Sequence, residues 1–290
     1  MKITVNAAAK INLFLDITGR LGNDYHSLFT LMQSVGLYDT VTLELRPSGG
    51  ITFSCSDKTL PTDRSNLAWK AAEAFFTATG AETPGLAIHI AKRIPQAAGL
   101  AGGSADAAAV LAGLNQLQGT NLSAARLSAI GLSVGSDVPF CLQGGTMLAQ
   151  HTGAVLSPLP PLSPCHILLV RPEQQVSTRA AYQAYDEAGT IHRPDTLGFL
   201  DAAARGDFRG ICRCAANVFE QVVEVERRVE IKAILRTHGA ALAQMSGSGP
   251  SIFGLFEEEA DARQCADALA ALPVEVFLCE PVERGLEIFT

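Results

Sequence analysis

Residues 95–111, Pro-Gln-Ala-Ala-Gly-Leu-Ala-Gly-Gly-Ser-Ala-Asp-Ala-Ala-Ala-Val-Leu, constrain this chain more than any other stretch. They follow a run in which Leu86, Ile88 and Ile90 alternate with Ala87 and His89, the period of a half-buried strand. Gly99, Gly102 and Gly103 let the backbone come close to whatever lies in front of it. Ser104 is suited to cap a helix N-terminus, and Asp106 to the positive first turn. The alanine-rich run after it, with Leu111, Leu114 and Leu117, predicts a helix that Gly119 would stop. Small residues at a helix N-terminus expose backbone N–H groups, and the helix dipole adds to them, so the stretch reads as an anion site with phosphate as the usual guest. The alternative is a tight strand-to-helix turn that needs glycine only for its geometry. Two other phosphate-loop patterns are absent: there is no G-x-x-x-x-G-K-[ST], and Gly99-Leu-Ala-Gly-Gly-Ser104 does not fit G-x-G-x-x-G.

The totals narrow the function classes. At 290 residues and 48% hydrophobic, the chain can bury one large core or two ordinary ones. A net charge of −7 argues against a nucleic-acid or anionic-membrane surface, though not against a local basic pocket. Seven cysteines occur without any C-x-x-C pair, and Cys212 and Cys214 flank a single residue, which is not a zinc spacing. Reduced thiols in a cytoplasmic protein are the expectation. The first ten residues lack a signal-peptide apolar core, and no run reaches about 18 uninterrupted apolar residues, so neither a secretion signal nor a membrane span is expected.

Alternation predicts strands over 2–9 and 11–17, and a third carrying Val41, Leu43 and Leu45 that pairs with 51–55 across Pro47-Ser-Gly-Gly50. Residues 66–76 have helical spacing, with Ser65 as cap and Gly80 as stop. Ser123 would cap a helix carrying Leu127 and Ile130, and 144–150 reads as a strand. Ser157-Pro-Leu-Pro-Pro-Leu-Ser-Pro164 holds four prolines and reads as a linker. We therefore expect one domain over 1–156 and an α+β domain over 157–290. In the second, strands are expected at 166–170, 242–245, 252–256 and 274–278, and helices at 178–186, 224–238 and 259–271. This mixture predicts an α+β layer rather than a succession of right-handed parallel units.

On spacing alone, Lys10 reads as a strand lysine and Asp137, in Gly135-Ser-Asp-Val-Pro139, as a turn or cap acceptor. The central loop, however, resembles that of the family named after galactokinase, homoserine kinase, mevalonate kinase and phosphomevalonate kinase: proline, three loosely specified residues, Gly-Leu, then small residues. Ala101 and Ala105 stand where glycine and a second serine are common in that pattern. The opening Ala8-Ala-Lys-Ile-Asn-Leu-Phe-Leu15, with Gly22-Asn-Asp-Tyr-His-Ser-Leu28, Gly135-Ser-Asp-Val-Pro-Phe140 and Met245-Ser-Gly-Ser-Gly-Pro-Ser251, is similar to one branch of it. That branch phosphorylates the 2-hydroxyl of a diphosphocytidyl-linked methylerythritol in the non-mevalonate isoprenoid route.

The resemblance implies a two-domain α+β kinase with its active site in the cleft between the domains. ATP phosphates would lie on Pro95, Gln96, Ala97, Ala98, Gly99, Leu100, Ala101, Gly102, Gly103, Ser104 and Ala105. Asn66 and Lys92 would contact the rest of the nucleotide. Asp137 would orient and deprotonate the acceptor hydroxyl, and Lys10 would stabilise the charge that develops there. Mg2+ would neutralise the phosphates, with Ser104 as a contact. Tyr25 would stack on the cytosine and His26 would hydrogen-bond its edge, while Asn12, Thr178 and Tyr182 would complete the substrate site. Gly247, Ser248 and Gly249 would close near the phosphates, although the same residues also suit a hairpin turn. A sister kinase acting on mevalonate, homoserine or a sugar would share the loop without needing Tyr25 and His26. A nucleotide-binding regulator would be expected to lack Lys10 or Asp137. Monomer and homodimer are equally compatible with the sequence.

Overall fold

The computed structural model describes residues 1–22, 26–81 and 85–289. The chain opens on two long antiparallel strands, β1 (Lys2–Arg20) and β2 (His26–Arg46). The two strands expected over 2–9 and 11–17 are thus one. Its register against β2 shifts at Ala8/Ala9, Asn12/Phe14 and Ile17/Gly19. Bulges of this kind bend a strand without ending it and re-aim its side chains. Lys10 and Asn12 lie between the first two shifts and, two residues apart, share a face.

Next come β3 (Ile51–Cys55), α1 (Leu67–Thr79) and β4 (Gly85–Ala91). The hairpin expected between 41–45 and 51–55 does not form. Instead β4 lies between them, antiparallel to β2 and parallel to β3. Leu86, Ile88 and Ile90 are fully buried in the same core as Ala71, Phe75 and Phe76 of α1. Helix α1 is the crossover that a parallel pair requires. Its N-cap is Asn66, one residue beyond the expected Ser65, and Gly80 ends it with a left-handed φ of 65°.

Helices α2 (Gly102–Leu117), α3 (Ala124–Val134) and α4 (Val138–Gln143) follow, then β5 (Thr146–His151) and β6 (Val155–Pro158). Ser123 caps α3 as expected. The rest of the chain forms β7 (His166–Pro172), α5 (Thr178–Glu187), α6 (Thr196–Ala204), α7 (Phe208–Cys214), a 3-10 turn at Val218–Gln221, α8 (Arg228–Thr237), β8 (Leu242–Met245), β9 (Ile252–Phe256), α9 (Glu259–Leu269), β10 (Val274–Cys279) and β11 (Leu286–Phe289). The short elements α4, β6, α6, α7 and β11 and the 3-10 turn lie outside the sequence expectations.

Two sheets result. The first runs β11-β1-β2-β4-β3, with β5 on the other half of β2 and β6 beyond it; the second runs β10-β7-β9-β8. The α+β architecture is the one expected. The expected division at 156/157 falls within β6, and β11 brings the last strand back onto β1 of the first sheet.

The alanines of α2 have a packing reason. Ala105, Ala107, Ala108 and Ala109 are buried, and a Cβ on Gly113 would come within 2.6 Å of Leu43 Cδ1 on β2. The helix lies so close to the sheet that only small side chains fit between them. In the second sheet, β7 is buried on both faces. Leu168 and Val170 pack with Ile231, Leu235 and Leu269, whereas Ile167 and Leu169 join Phe199 and Ile211 in the core continuous with the first sheet. Phe14 of β1 stacks on Phe199 of α6, with ring centroids 4.4 Å apart, and meets Phe29 edge-on. No helix among the described residues is long and apolar enough to cross a membrane.

Because Phe14 joins the strand that carries Lys10 to the second half of the chain, Phe14→Ala should lower the unfolding free energy by about 3–5 kcal/mol. Denaturant titration at unchanged m-value is the measurement. A loss below about 1 kcal/mol would mean that Phe199 and Phe29 close the gap by themselves.

Candidate active site

Between β4 and α2 the backbone turns through three left-handed residues, Ala97 (φ 48°), Gly99 (φ 73°) and Ala101 (φ 59°). Glycine adopts that region freely and alanine does so at a cost, so the loop holds alanines where its path strains them. Ala101, not Ser104, occupies the N-cap position, and no side chain caps the helix. The first-turn N–H groups at Gly102, Gly103 and Ser104 are thus left for an outside acceptor. Ser104 lies within this first turn, its hydroxyl facing the 135–137 turn: a Cβ on Gly135 would lie 3.7 Å from Ser104 Oγ.

A second turn, 246–251 between β8 and β9, sits on this loop. Ser246 Oγ donates to the Gly99 carbonyl at 2.9 Å, and Ser251 N–H donates to the Ala98 carbonyl at 3.3 Å. The approach leaves no room for a side chain, since a Cβ on Gly99 would lie 2.1 Å from the Ser246 carbonyl oxygen. Gly247 (φ 56°) passes directly over Lys10 and Asn12: a Cβ there would lie 3.4 Å from Lys10 Nζ and 3.3 Å from Asn12 Oδ1. Asn217, which sequence reasoning missed, holds the turn from behind by donating to the Met245 and Gly247 carbonyls, both at 2.8 Å.

Lys10 is buried, and its Nζ donates to Asn12 Oδ1 at 2.6 Å. Asn12 is oriented in turn by donating to Thr30 Oγ1 at 2.8 Å. The Lys10 ammonium lies 3.8 Å from Asp137 Oδ2. Asp137 occupies the N-cap position of α4, yet its side chain makes no capping bond and is free to face the lysine. The cap reading of Asp137 is therefore set aside by the geometry.

These groups line one cleft of about 1590 Å³, larger than the roughly 300–1,000 Å³ that holds a single small ligand. At one end stand Asn66, Lys92, residues 95–99 and 101–104; at the other stand His26, Thr178 and Tyr182, with Lys10, Asn12 and Asp137 between. Leu100 and Ala105 are turned into the core, and Gly249 does not reach the wall. Asn66 has both ends of its amide engaged, Oδ1 accepting from Ala68 N–H and Nδ2 donating to the Pro61 carbonyl, each at 2.9 Å. Thr178 Oγ1 lies 3.1 Å from Ser248 Oγ and so joins α5 to the glycine turn. Tyr182 stacks on His26 with centroids 4.7 Å apart, and burial, followed by the charge of Asp137, pushes its hydroxyl pKa up. Tyr25 lies outside the described residues.

Lys92 is committed to two carboxylates. Its Nζ donates to Asp39 Oδ2 and, at 2.7 Å, to Asp106 Oδ2. Asp39 Oδ1 also accepts the N–H groups of Arg93 and Ile94, so the triad pins the entry to the loop. Burial pushes Asp106 up to about 7, against the pull of the Lys92 ammonium. Arg179, Gln183 and Asp186 on α5 also line the cleft. Their helical spacing with Tyr182 was visible in the sequence, but nothing local assigned that face to the site.

Gly99→Ala should cost several kcal/mol, because the left-handed φ and the Ser246 carbonyl both reject a Cβ. Gly103→Ala, whose Cβ would meet nothing closer than Leu67 Cδ1 at 3.4 Å, should fold normally. Thermal unfolding of the pair checks this. Equal melting temperatures would show that the two turns can separate freely.

The chain matches the family models described as the GHMP kinases N terminal domain, over residues 66–145, and the GHMP kinases C terminal, over residues 199–274. It is 41% identical over 282 residues to a Caldicellulosiruptor saccharolyticus protein named 4-diphosphocytidyl-2-C-methyl-D-erythritol kinase, covering 97% of each chain. A Gloeobacter violaceus protein of the same name is 43% identical, with 98% of this chain and 96% of that protein covered. Among solved structures, a 4-(cytidine 5'-diphospho)-2C-methyl-D-erythritol kinase superposes with a TM-score of 0.79 at 33% identity, covering 96% of this chain and 98% of that one. Homoserine kinase from Cytophaga hutchinsonii, at 21% identity, shares the fold with a TM-score of 0.78, covering 99% of this chain and 97% of that one. With both halves of the fold matched and relatives near 40% identity along almost its full length, this chain belongs to the GHMP kinases, in the branch of the 4-diphosphocytidyl-2-C-methyl-D-erythritol kinases.

Proposed function

We propose that this protein transfers the γ-phosphoryl group of ATP to the 2-hydroxyl of 4-diphosphocytidyl-2-C-methyl-D-erythritol. The observation that carries this reading is the Lys10–Asp137 pair, midway along a cleft with an anion-binding helix terminus at one end and stacked rings at the other. The family relationship supplies ATP as donor, and the names of the relatives supply the acceptor.

The residues divide the work by position. Loop 95–104 cradles phosphate oxygens with its uncapped N–H groups. Asp137 accepts the proton of the acceptor hydroxyl. Lys10, held by Asn12, sets a positive charge beside the oxygen that becomes nucleophilic and the group that moves. Gly247 and Ser248 cover Lys10 and exclude water from it. Asn66 and Lys92 stay assigned to the nucleotide end, with Lys92 acting chiefly by fixing the loop. His26, Thr178 and Tyr182 hold the cytidyl end together with Tyr25. A magnesium ion fits this donor set as one held mostly by phosphate oxygens and water. Ser104 Oγ is on the wall, and no cluster of three or more His, Cys, Asp or Glu is present among the described residues. The ion would supply charge neutralisation. Seven cysteines without a disulfide support a reducing, cytoplasmic setting.

ADP release with Mg-ATP should be stimulated by diphosphocytidyl-methylerythritol and not by mevalonate, homoserine or galactose. Stimulation by one of the others would keep the kinase and discard the acceptor. Asp137→Asn should cut kcat by about 10²–10⁴ with folding intact, and near-normal turnover would remove Asp137 from the base role. Lys10→Ala should lower kcat far more than it weakens ATP binding. A loss confined to ATP affinity would sink its transition-state role.

A further inference from the structure

Asp186 of α5 reaches across the acceptor end of the cleft to the first residue of β2. Its Oδ1 lies 2.8 Å from His26 Nε2, and the same carboxylate accepts both Nε and Nη2 of Arg20 from the end of β1. The His26 side chain is 7% exposed. Its ring is held face-on by Tyr182 and edge-on by Tyr185, with centroids 6.2 Å apart for the latter. Position and plane of this imidazole are therefore settled by three neighbours. The Arg20 fork, followed by His26, holds the Asp186 carboxyl below the usual carboxylate range.

An ionised carboxylate can only accept hydrogen bonds, so the ring nitrogen against it must carry hydrogen. In neutral imidazole the other nitrogen is then a bare lone pair. No described residue partners His26 Nδ1, and it is not among the sealed buried atoms that lack a partner. It is open to a ligand in the cleft that His26 lines.

We infer that Asp186 is a positioning residue that sets base specificity: it keeps the His26 proton on Nε2, so that Nδ1 accepts from an exocyclic amino group. This rests on the proposed acceptor carrying a base at this end. A 4-amino pyrimidine donates to Nδ1, whereas a 4-oxo pyrimidine opposes one lone pair with another. The two bases differ little in shape, so this polarity is what tells them apart.

The test uses cytidine diphosphate and uridine diphosphate as competitors of the acceptor, at about pH 8.5, well above the imidazole range. Wild type should prefer the cytidine form by about tenfold or more. Asp186→Ala should bring that ratio close to one and raise the acceptor KM while ATP KM stays put. Asp186→Asn, whose amide oxygen still accepts from Nε2, should keep the preference. Nitrogen-15 NMR of the histidines should find His26 as the Nε2–H tautomer in wild type and in the Asp186→Asn variant, and mixed after Asp186→Ala. An unchanged preference in Asp186→Ala, or an Nδ1–H tautomer in wild type, overturns the inference. The NMR readout needs no turnover, so failure of the proposed reaction would be seen separately, as absence of acceptor-stimulated ADP release.

Discussion

The contact on which the site depends is between two backbones. The Gly99 loop and the Ser246 carbonyl approach so closely that a single methyl group could not enter, and Ser246 and Ser251 bond across the join. One loop follows β4 of the first sheet and the other links β8 and β9 of the second. Their junction places the glycine turn over Lys10, couples it to the N-terminus of α2, and lets one cleft contain both. The Lys10 N–H adds a direct tie, donating to the Leu100 carbonyl at 3.1 Å. The N-terminus of α2 and the Lys10 ammonium thus share one seam, the fixed alignment on which phosphoryl-transfer chemistry relies.

Charge is arranged in tiers around this seam. Lys10 keeps an amide and a carboxylate as neighbours and stays available to the cleft. Lys92, behind the loop, is spent on two carboxylates. Buried clusters of this kind contribute more to defining one arrangement than to net stability, because desolvation offsets much of the attraction. Here the arrangement defined is the entry to α2. The distinction between the two lysines is therefore one of partners: Lys92 is held by two carboxylates that fix the loop, whereas Lys10 keeps an amide and a single carboxylate beside it.

Much of this was legible beforehand, and for local reasons. The strand, small-residue loop and alanine helix at 86–117 were readable because periodicity and glycine spacing report on neighbours a few residues away. The family resemblance extended that reading to Lys10, Asp137 and residues 246–251, far apart in the chain. What was misread depended on remote partners. Residues 51–55 pair with β4 and not with β2, because α1 carries the chain across so that β4 enters between them. Ser104 is not the cap, because the loop reaches its left-handed turn earlier, at Ala101. The clasp of Asp186 on His26 joins residues 160 positions apart, and no local pattern encodes it.

The sequence by itself determined where most of the main strands and helices lie, where a small-residue helix terminus suited to an anion begins, and which residue types are on hand for phosphoryl transfer. Those properties follow from backbone preferences and periodicity, which act over a few residues. Tertiary structure alone decided which lysine is tied up by two carboxylates, which glycines are sterically required, and which carboxylate lies against His26. Each of these depends on distances between atoms remote in the chain, and such distances exist only once the two sheets have packed.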